Sequence, residues 1–335
     1  MRWGHRSALT NRTCCFLLGL LARRFTKPAV DGGDSVDIGI LGSLAVGERG
    51  VSITPTAPKP RQVLALLALH ADQVVTVGTL TEELWGAAPP RSARPTLQTY
   101  ILQLREHIAR ALRQGEGGGA GQGEGGGAVR GEGGGAGQRC AKDVLLTVPG
   151  GYLLKGGQGT SDLRDFERLA GLGYRAMDAG DYAGAAARLS EALELWSGPA
   201  LADVHAGVHL ATEIRRLEES RLCALDQRIE ADLRLGRHRE LLAELTVLVS
   251  RYPTHESLCG QYMLALHRSG RRGEALNAYR QLRARLVRSL GLEPSAALAK
   301  LQRSILMSGP AGAPAPAGTS APVGTSAAGR LAPAG

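Results

Sequence analysis

The stretch PTLQTYILQLREHIARAL, residues 95–112, carries apolar side chains at Leu97, Ile101, Leu104, Ile108 and Leu112. That spacing predicts an amphipathic helix with one buried stripe. Pro95 suits its first turn, where the N–H that proline lacks would have no helical partner. The opposite side keeps Gln98, Thr99, Gln103, Arg105 and Arg110. From Arg91 to Arg113 five arginines stand against one acid, Glu106, a local charge of +4.

The flanking sequence sets this helix in a series. Upstream, Val63, Leu64, Leu66, Leu67 and Leu69 predict a largely buried helix from Arg61 through His70. VGTLTEELW predicts a shorter one over Val77–Trp85, with Thr79 as N-cap and Glu82 in capping-box position. Gly86 and the pair Pro89-Pro90 stop it. Pro55, Pro58 and Pro60 break the chain ahead of the first helix, and before them VDIGILGSLAV and VSI are β-type runs divided by the turn signal GERG. Downstream, VLLTVPGGYLL at Val144 to Leu154 predicts a compact hairpin, with Gly150 and Gly151 as turn formers. Helix, short helix, helix with a basic polar face and then hairpin is the order of a winged helix-turn-helix, whose third helix enters a DNA major groove.

Between the third helix and the hairpin the unit GEGGGA begins at Gly115, Gly123 and Gly131, a period of eight. Such a run has few side chains to bury and much backbone entropy to lose, so residues 114–138 are expected to form a flexible linker. No GxxxxGK[ST] phosphate loop occurs here or elsewhere. Loop-closure cost grows slowly with length, so the surrounding fold is expected to tolerate the insertion and its removal.

Residues 162–307 change character to Leu, Ala and Arg with helical periodicity. AGDYAGAAARLSEALELW around Gly180, LGRHRELLAELTVLVSRY around Gly236 and SGRRGEALNAYRQLRARL around Gly270 align on a turn glycine, the last two 34 residues apart. This is the tetratricopeptide period. Ala185, Leu241 and Ala275 stand five residues after each glycine, and Ala192, Leu248 and Leu282 twelve after, all suited to one packed face. The longer first interval contains SGPALADVH. Stacked helical hairpins offering a protein-binding surface are expected. The overall class is therefore mainly α with small β elements, a winged helix at 36–157 followed by a tetratricopeptide-like domain at 158–307. A disordered Pro/Ala/Gly tail at 308–335 and a disordered or mis-assigned leader at 1–35 complete the expected organisation.

Composition narrows the function. A chain of 335 residues accommodates two domains, and an aromatic content of only 4% requires cores of Leu, Ala and Val. The net charge of +9 favours an anionic partner. Five cysteines, odd in number and without CxxC pairs, suggest neither a zinc site nor a disulfide framework and fit a reducing cytoplasm. The apolar run Cys14 to Ala22 is nine residues, followed at once by Arg23 and Arg24, which is short of a membrane span and lacks a signal-peptide cleavage site. His205 and His209 lack the Glu or Cys that would complete a metal set, and no GxSxG elbow accompanies the serines. No catalytic residue, metal or cofactor is expected.

The pieces ILGSLAV with VSI, PRQVLALLALHADQVVT, LTEELWGAAPPRSARPTLQTYILQLREHI, VPGGYLL, DLRDFERL and ALELWSGPALADV, in this order, resemble the actinomycete antibiotic regulatory protein (SARP) family over residues 36 to 307, apart from the glycine insert. The resemblance implies an OmpR-type winged helix joined to a bacterial transcriptional activation domain (BTAD). It implies a cytoplasmic, nucleoid-associated activator of a secondary-metabolite cluster that binds double-stranded promoter DNA at direct repeats, side by side as a homodimer, and recruits RNA polymerase holoenzyme. The OmpR-type helix implies contacts at Thr96, Gln98, Thr99, Tyr100, Gln103 and Arg105. Gln98 and Gln103 would read adenine edges, and Arg105 guanine or phosphate. Arg91 and Arg94 suit phosphate, as does Lys155 just past the hairpin. Tyr100 either touches DNA or packs against the hairpin, and Arg110 and Arg113 either contact DNA or are solvated. The basic helix Arg271 to Arg288 either meets the polymerase or is solvated. The connection from helix to wing is usually short in the family, so about 25 extra residues here loosen the wing's covalent tether. No receiver domain stands in the chain, so phosphorylation at a receiver Asp is not expected. The alternative is a helical-repeat scaffold whose N-terminal domain no longer reads DNA.

Overall fold

The computed structural model describes residues 35–117 and 139–308. The leader, most of the glycine-rich insertion and the C-terminal tail lie outside the described residues. Contacts group the chain into two units, one ending at Gly236 and the other beginning at Arg237.

The first unit opens with an antiparallel sheet of β1 (Val36–Gly39), β2 (Ala45–Glu48) and β3 (Val51–Ser52), with Val36 opposite Glu48 and Glu48 opposite Val51. The GERG signal forms the β2–β3 turn, with Arg49 and Gly50 both at positive φ (52° and 77°), as a two-residue hairpin turn following the strand twist requires. Helix α1 (Pro58–Leu69) begins three residues earlier than the apolar pattern indicates, because Pro58 and Pro60 occupy its first turn, where proline is tolerated. Helix α2 spans Val77–Trp85 as expected. Its cap differs: Thr76 Oγ1 accepts the Thr79 N–H at 3.1 Å, so Thr79 lies inside the first turn and the Thr79/Glu82 capping box does not form. Gly150 O accepts the Val77 N–H at 2.9 Å, which admits Val77 to the helix start.

Helix α3 runs from Ala93 to Gly117, and its whole predicted stripe of Leu97, Ile101, Leu104, Ile108 and Leu112 is buried. After the short helix α4 (Ala141–Val144) comes the hairpin of β5 (Leu145–Val148) and β6 (Gly151–Leu154). A strand missed in the sequence, β4 (Val74–Thr76), pairs antiparallel with β6 and makes the order β4-β6-β5.

Helices α5 (Asp162–Asp178), α6 (Tyr182–Glu194) and α7 (Val208–Arg234) complete the first unit. Phe166 and Trp196 pack edge to face at 5.5 Å, and the Arg221 guanidinium covers the Trp196 ring at 4.8 Å. The segment Ser197 to Asp203 lies along the β1–β2 loop: Ser197 N–H donates to Leu41 O, Leu201 N–H to Ile40 O, and Leu44 N–H to Asp203 Oδ1. Asp203 also pairs with Arg61 of α1 at 2.6 Å. Glu83 of α2, nearly fully buried, caps α7. Its Oε1 accepts the Gly207 N–H at 2.6 Å and its Oε2 those of His209 and Leu210 at 2.9 and 3.1 Å. The sequence boundary expected at 157/158 thus lies inside one packed unit.

Asp162 makes a further tie, its Oδ2 accepting the Ile40 and Leu41 N–H groups at 2.8 Å each. Burial pushes its carboxyl up to about 6 against the pull of those donors. The folded chain therefore holds this proton more tightly than the unfolded chain, so the group's contribution is largest below about pH 4 and is lost as pH rises to about 6. Asp162→Asn keeps an acceptor and cannot titrate. The unfolding free energy of the natural chain minus that of the variant should fall between pH 4 and 6 in urea titrations; a difference flat across that window contradicts the assignment.

The second unit holds α8 (Leu242–Arg251), α9 (Glu256–Arg268), α10 (Arg272–Leu290) and α11 (Ala296–Met307). Its core gathers Cys259, Met263, Leu266, Ala275, Leu282, Leu286 and Ile305. Gly180, Gly236 and Gly270 share a positive φ of 75°, 80° and 81°, which turns the chain out of the helix preceding each of them. Of the six aligned positions Leu248 alone is not fully buried.

Candidate nucleic-acid interface

Because α3 buries the stripe centred on Leu97, Ile101 and Ile108, a rotation of 100° per residue assigns the rest of its side chains. Arg94, Gln98 and Arg105 fall on the edge beside the hairpin. Thr99 and Glu106 fall at the centre of the outward face, Leu102 between that centre and the hairpin edge, Gln103 and Thr96 on the far side of the centre, and Tyr100 at the far edge. Arg91, Arg94, Gln98, Thr99, Leu102, Gln103 and Glu106 are exposed. The Thr96 and Thr99 hydroxyls donate to Ser92 O at 2.7 Å and Pro95 O at 3.1 Å. Tyr100 is half-buried and packs against the core.

Arg105 is turned to the wing. Its Nε and Nη2 donate to Leu145 O at 3.1 and 2.8 Å, and Nη2 donates to Thr147 Oγ1 at 2.8 Å. The register explains why that carbonyl is available. With a two-residue turn between Val148 and Gly151, the pairs Leu145–Leu154 and Thr147–Tyr152 are the non-hydrogen-bonded ones, so Leu145 O points out from the free edge of the sheet. The guanidinium thus bridges helix and hairpin through β5, a contact that the helical spacing alone does not reveal. Lys155 is exposed at the base of the hairpin, where its N–H donates to Val144 O, at the end opposite the Pro149-Gly150 turn.

The hairpin carries no charged side chain between Val144 and Leu154. Gly150, at φ +81°, fits a turn with proline before it. Gly151 is a strand residue, corrected from a turn former, and a Cβ there would stand 2.4 Å from Val75 O of β4. Arg94 and Gln98 line a recess with Thr147, Val148, Gly150 and Tyr152, so the cation beside the wing comes from the helix.

Gly115 and Arg139, described on either side of residues 118–138, lie beside the adjacent residues Arg49 and Glu48. A Cβ at Gly115, still within α3, would stand 3.0 Å from Arg49 Cβ, while Arg139 Nη1 pairs with buried Glu48 Oε1 at 2.7 Å. An added loop here joins two points already brought together by the fold. His209 contacts Glu82 at 3.1 Å while its N–H serves Glu83, a structural part that its spacing from His205 does not reveal. Among the described residues no helix is long and apolar enough to cross a membrane.

Residues 51–116 match the family of transcriptional regulatory protein C-terminal domains, and residues 161–306 match the bacterial transcriptional activator domain. The chain is 50% identical to regulatory protein DnrI of Streptomyces peucetius, over 82% of this chain and 93% of that protein. It is 34% identical to transcriptional regulator RedD of Streptomyces coelicolor, over 83% of this chain and 72% of RedD. With regulatory protein AfsR of the same organism it shares 35% identity over 82% of its own length and 24% of AfsR. A solved structure of Mycobacterium tuberculosis EmbR in complex with a low-affinity phosphopeptide superposes with a TM-score of 0.69 at 30% identity, covering 82% of this chain and 65% of EmbR. The agreement with DnrI along almost its entire length, together with AfsR and RedD, means that the chain belongs to the SARP family of transcriptional regulators.

Proposed function

We propose that the protein is a sequence-specific, DNA-binding transcriptional activator of a secondary-metabolite cluster, acting in the cytoplasm on nucleoid DNA and without catalysis of its own. The observation that carries this reading is the polar side of α3 and its approach, where Arg91, Arg94, Gln98, Thr99 and Gln103 are exposed beside a hairpin to which Arg105 donates. Arg91 and Arg94 contact phosphate, Gln98 and Gln103 read adenine edges, Thr96 and Thr99 offer hydroxyls, and Tyr100 stiffens the helix edge. Arg105 acts through the wing, and Lys155 reaches only backbone approaching the hairpin base. Two copies side by side on direct repeats, with the helical domain meeting RNA polymerase holoenzyme, extend this reading to activation.

Purified protein at about 150 mM salt is expected to prefer the promoter beside its own gene to random duplex. Arg94→Ala should weaken binding to all sequences alike and flatten the salt dependence by about one unit of slope. Gln98→Ala should instead lose about 1–3 kcal/mol of discrimination at one base position. Equal affinity for promoter and random duplex in anisotropy titrations rejects the activator reading, and a scaffold that keeps its cellular activity after Arg91→Glu and Arg94→Glu replaces it.

A further inference from the structure

Leu102 is 58% exposed, although every other large aliphatic side chain of α3 between Leu97 and Leu112 is buried to 5% exposure or less. It stands on the outward face between Gln98 on the hairpin side and Thr99 at the centre, one turn after both and one turn before Glu106. A lone exposed leucine on an ordinary surface carries no message. Here its surroundings choose a partner: Arg91, Arg94, Arg110 and Arg113 on the same helix and its approach, against Glu106, suit a polyanion laid along this side. The edges of base pairs in a major groove present donors, acceptors and a single apolar group, the 5-methyl of thymine.

Resting on the DNA-binding reading above, we propose that Leu102 is a specificity-determining residue that selects a thymine in each half-site by packing its δ-methyls on the thymine 5-methyl group. Gln98, about 40° around the helix from Leu102 and one turn earlier, flanks that contact on the wing side, and Thr99 does so on the other. The contact excludes water from both apolar groups and needs no charge. It therefore changes preference among sequences without changing the salt dependence that the arginines set.

The test uses the full chain and the duplex it enriches from a random 20-base-pair pool. Each thymine is replaced in turn by deoxyuridine, which pairs identically and lacks the methyl, and dissociation constants are read by anisotropy. The natural protein should lose about three- to tenfold affinity at one thymine per half-site, a loss of the size expected for one apolar group left exposed. Leu102→Ala should bind the unmodified duplex more weakly by a similar factor, show no further loss at that thymine, and melt at an unchanged temperature. Additive losses at every thymine, or a Leu102→Ala variant that binds unchanged, overturn the assignment of Leu102 and leave the activator reading standing. Failure of the natural chain to enrich any sequence overturns that reading and this inference together.

Discussion

Replacing Glu83 with alanine should cost about 3–5 kcal/mol of unfolding free energy, because it strips a buried acceptor from several donors at once. Gly207, His209 and Leu210 at the head of α7 lose the carboxylate that accepts their N–H groups, and the Gln62 side chain, 2.9 Å from the same Oε1, loses an acceptor too. The three backbone N–H groups lie where a helix gathers partial positive charge, so an anion is favoured there beyond its hydrogen bonds. Glu83→Gln keeps one acceptor and should fall between the two. Urea unfolding measures the loss, and amide exchange at His209 and Leu210 should quicken in the same order of variants. A loss under about 1 kcal/mol for the alanine variant would mean that water serves the head of α7 as well as Glu83 does.

The second large effect is expected at Arg139, the first described residue after the glycine-rich insertion. Its side chain is 5% exposed and that of Glu48 is fully buried, so Arg139→Ala removes a cation paired with a buried carboxylate inside the first unit. Removing one member of such a pair costs about 3–5 kcal/mol. Arg139→Lys retains charge without the planar fork and should recover part of the loss. Deletion of residues 123–130, one full period of the insertion, is the contrasting change. On the linker expectation it alters closure entropy by less than about 0.5 kcal/mol. Thermal melts of the three variants therefore separate sharply, and a deletion as damaging as Arg139→Ala would show that the insertion contributes packing of its own.

What could be read from the residues follows the range over which each physical rule acts. The α3 stripe was legible because Leu97, Ile101, Leu104, Ile108 and Leu112 repeat within a few turns, and Val77–Trp85 because Gly86 and a cap bound it locally. The strand β4 was not, since three residues, Val74 to Thr76, carry too little pattern and their partner β6 lies more than 70 positions later. The cap moved from Thr79 to Thr76 for the same reason: the group that receives the Val77 N–H is Gly150 O, distant in sequence. Periodicity identifies the side of α3 that is buried, yet it does not separate the outward face from its margins. Nor does it show that a carbonyl of β5 accepts from Arg105. The departure of Leu102 from the stripe is visible in the sequence, but periodicity assigns no role to a single apolar residue on a polar face. Glu83 reads as an ordinary helix acid, and nothing near it in the chain announces donors 124 to 127 residues away.

The contacts of the β1–β2 loop bear on how the protein is made. Leu44 meets Asp203 across 159 residues, and Ile40 and Leu41 meet Asp162 across about 120, so the first strands to leave a ribosome have no finished seat until α5 and the Ser197–Asp203 segment are synthesised. At about 5–20 residues per second that interval is roughly 8–30 s, during which the β1–β3 edges and the apolar face of α1 stay open to other chains. Growth at lower temperature or slower translation through this span lengthens the exposed period. Chaperone dependence of this protein should therefore rise with translation time rather than with the stability of the finished fold.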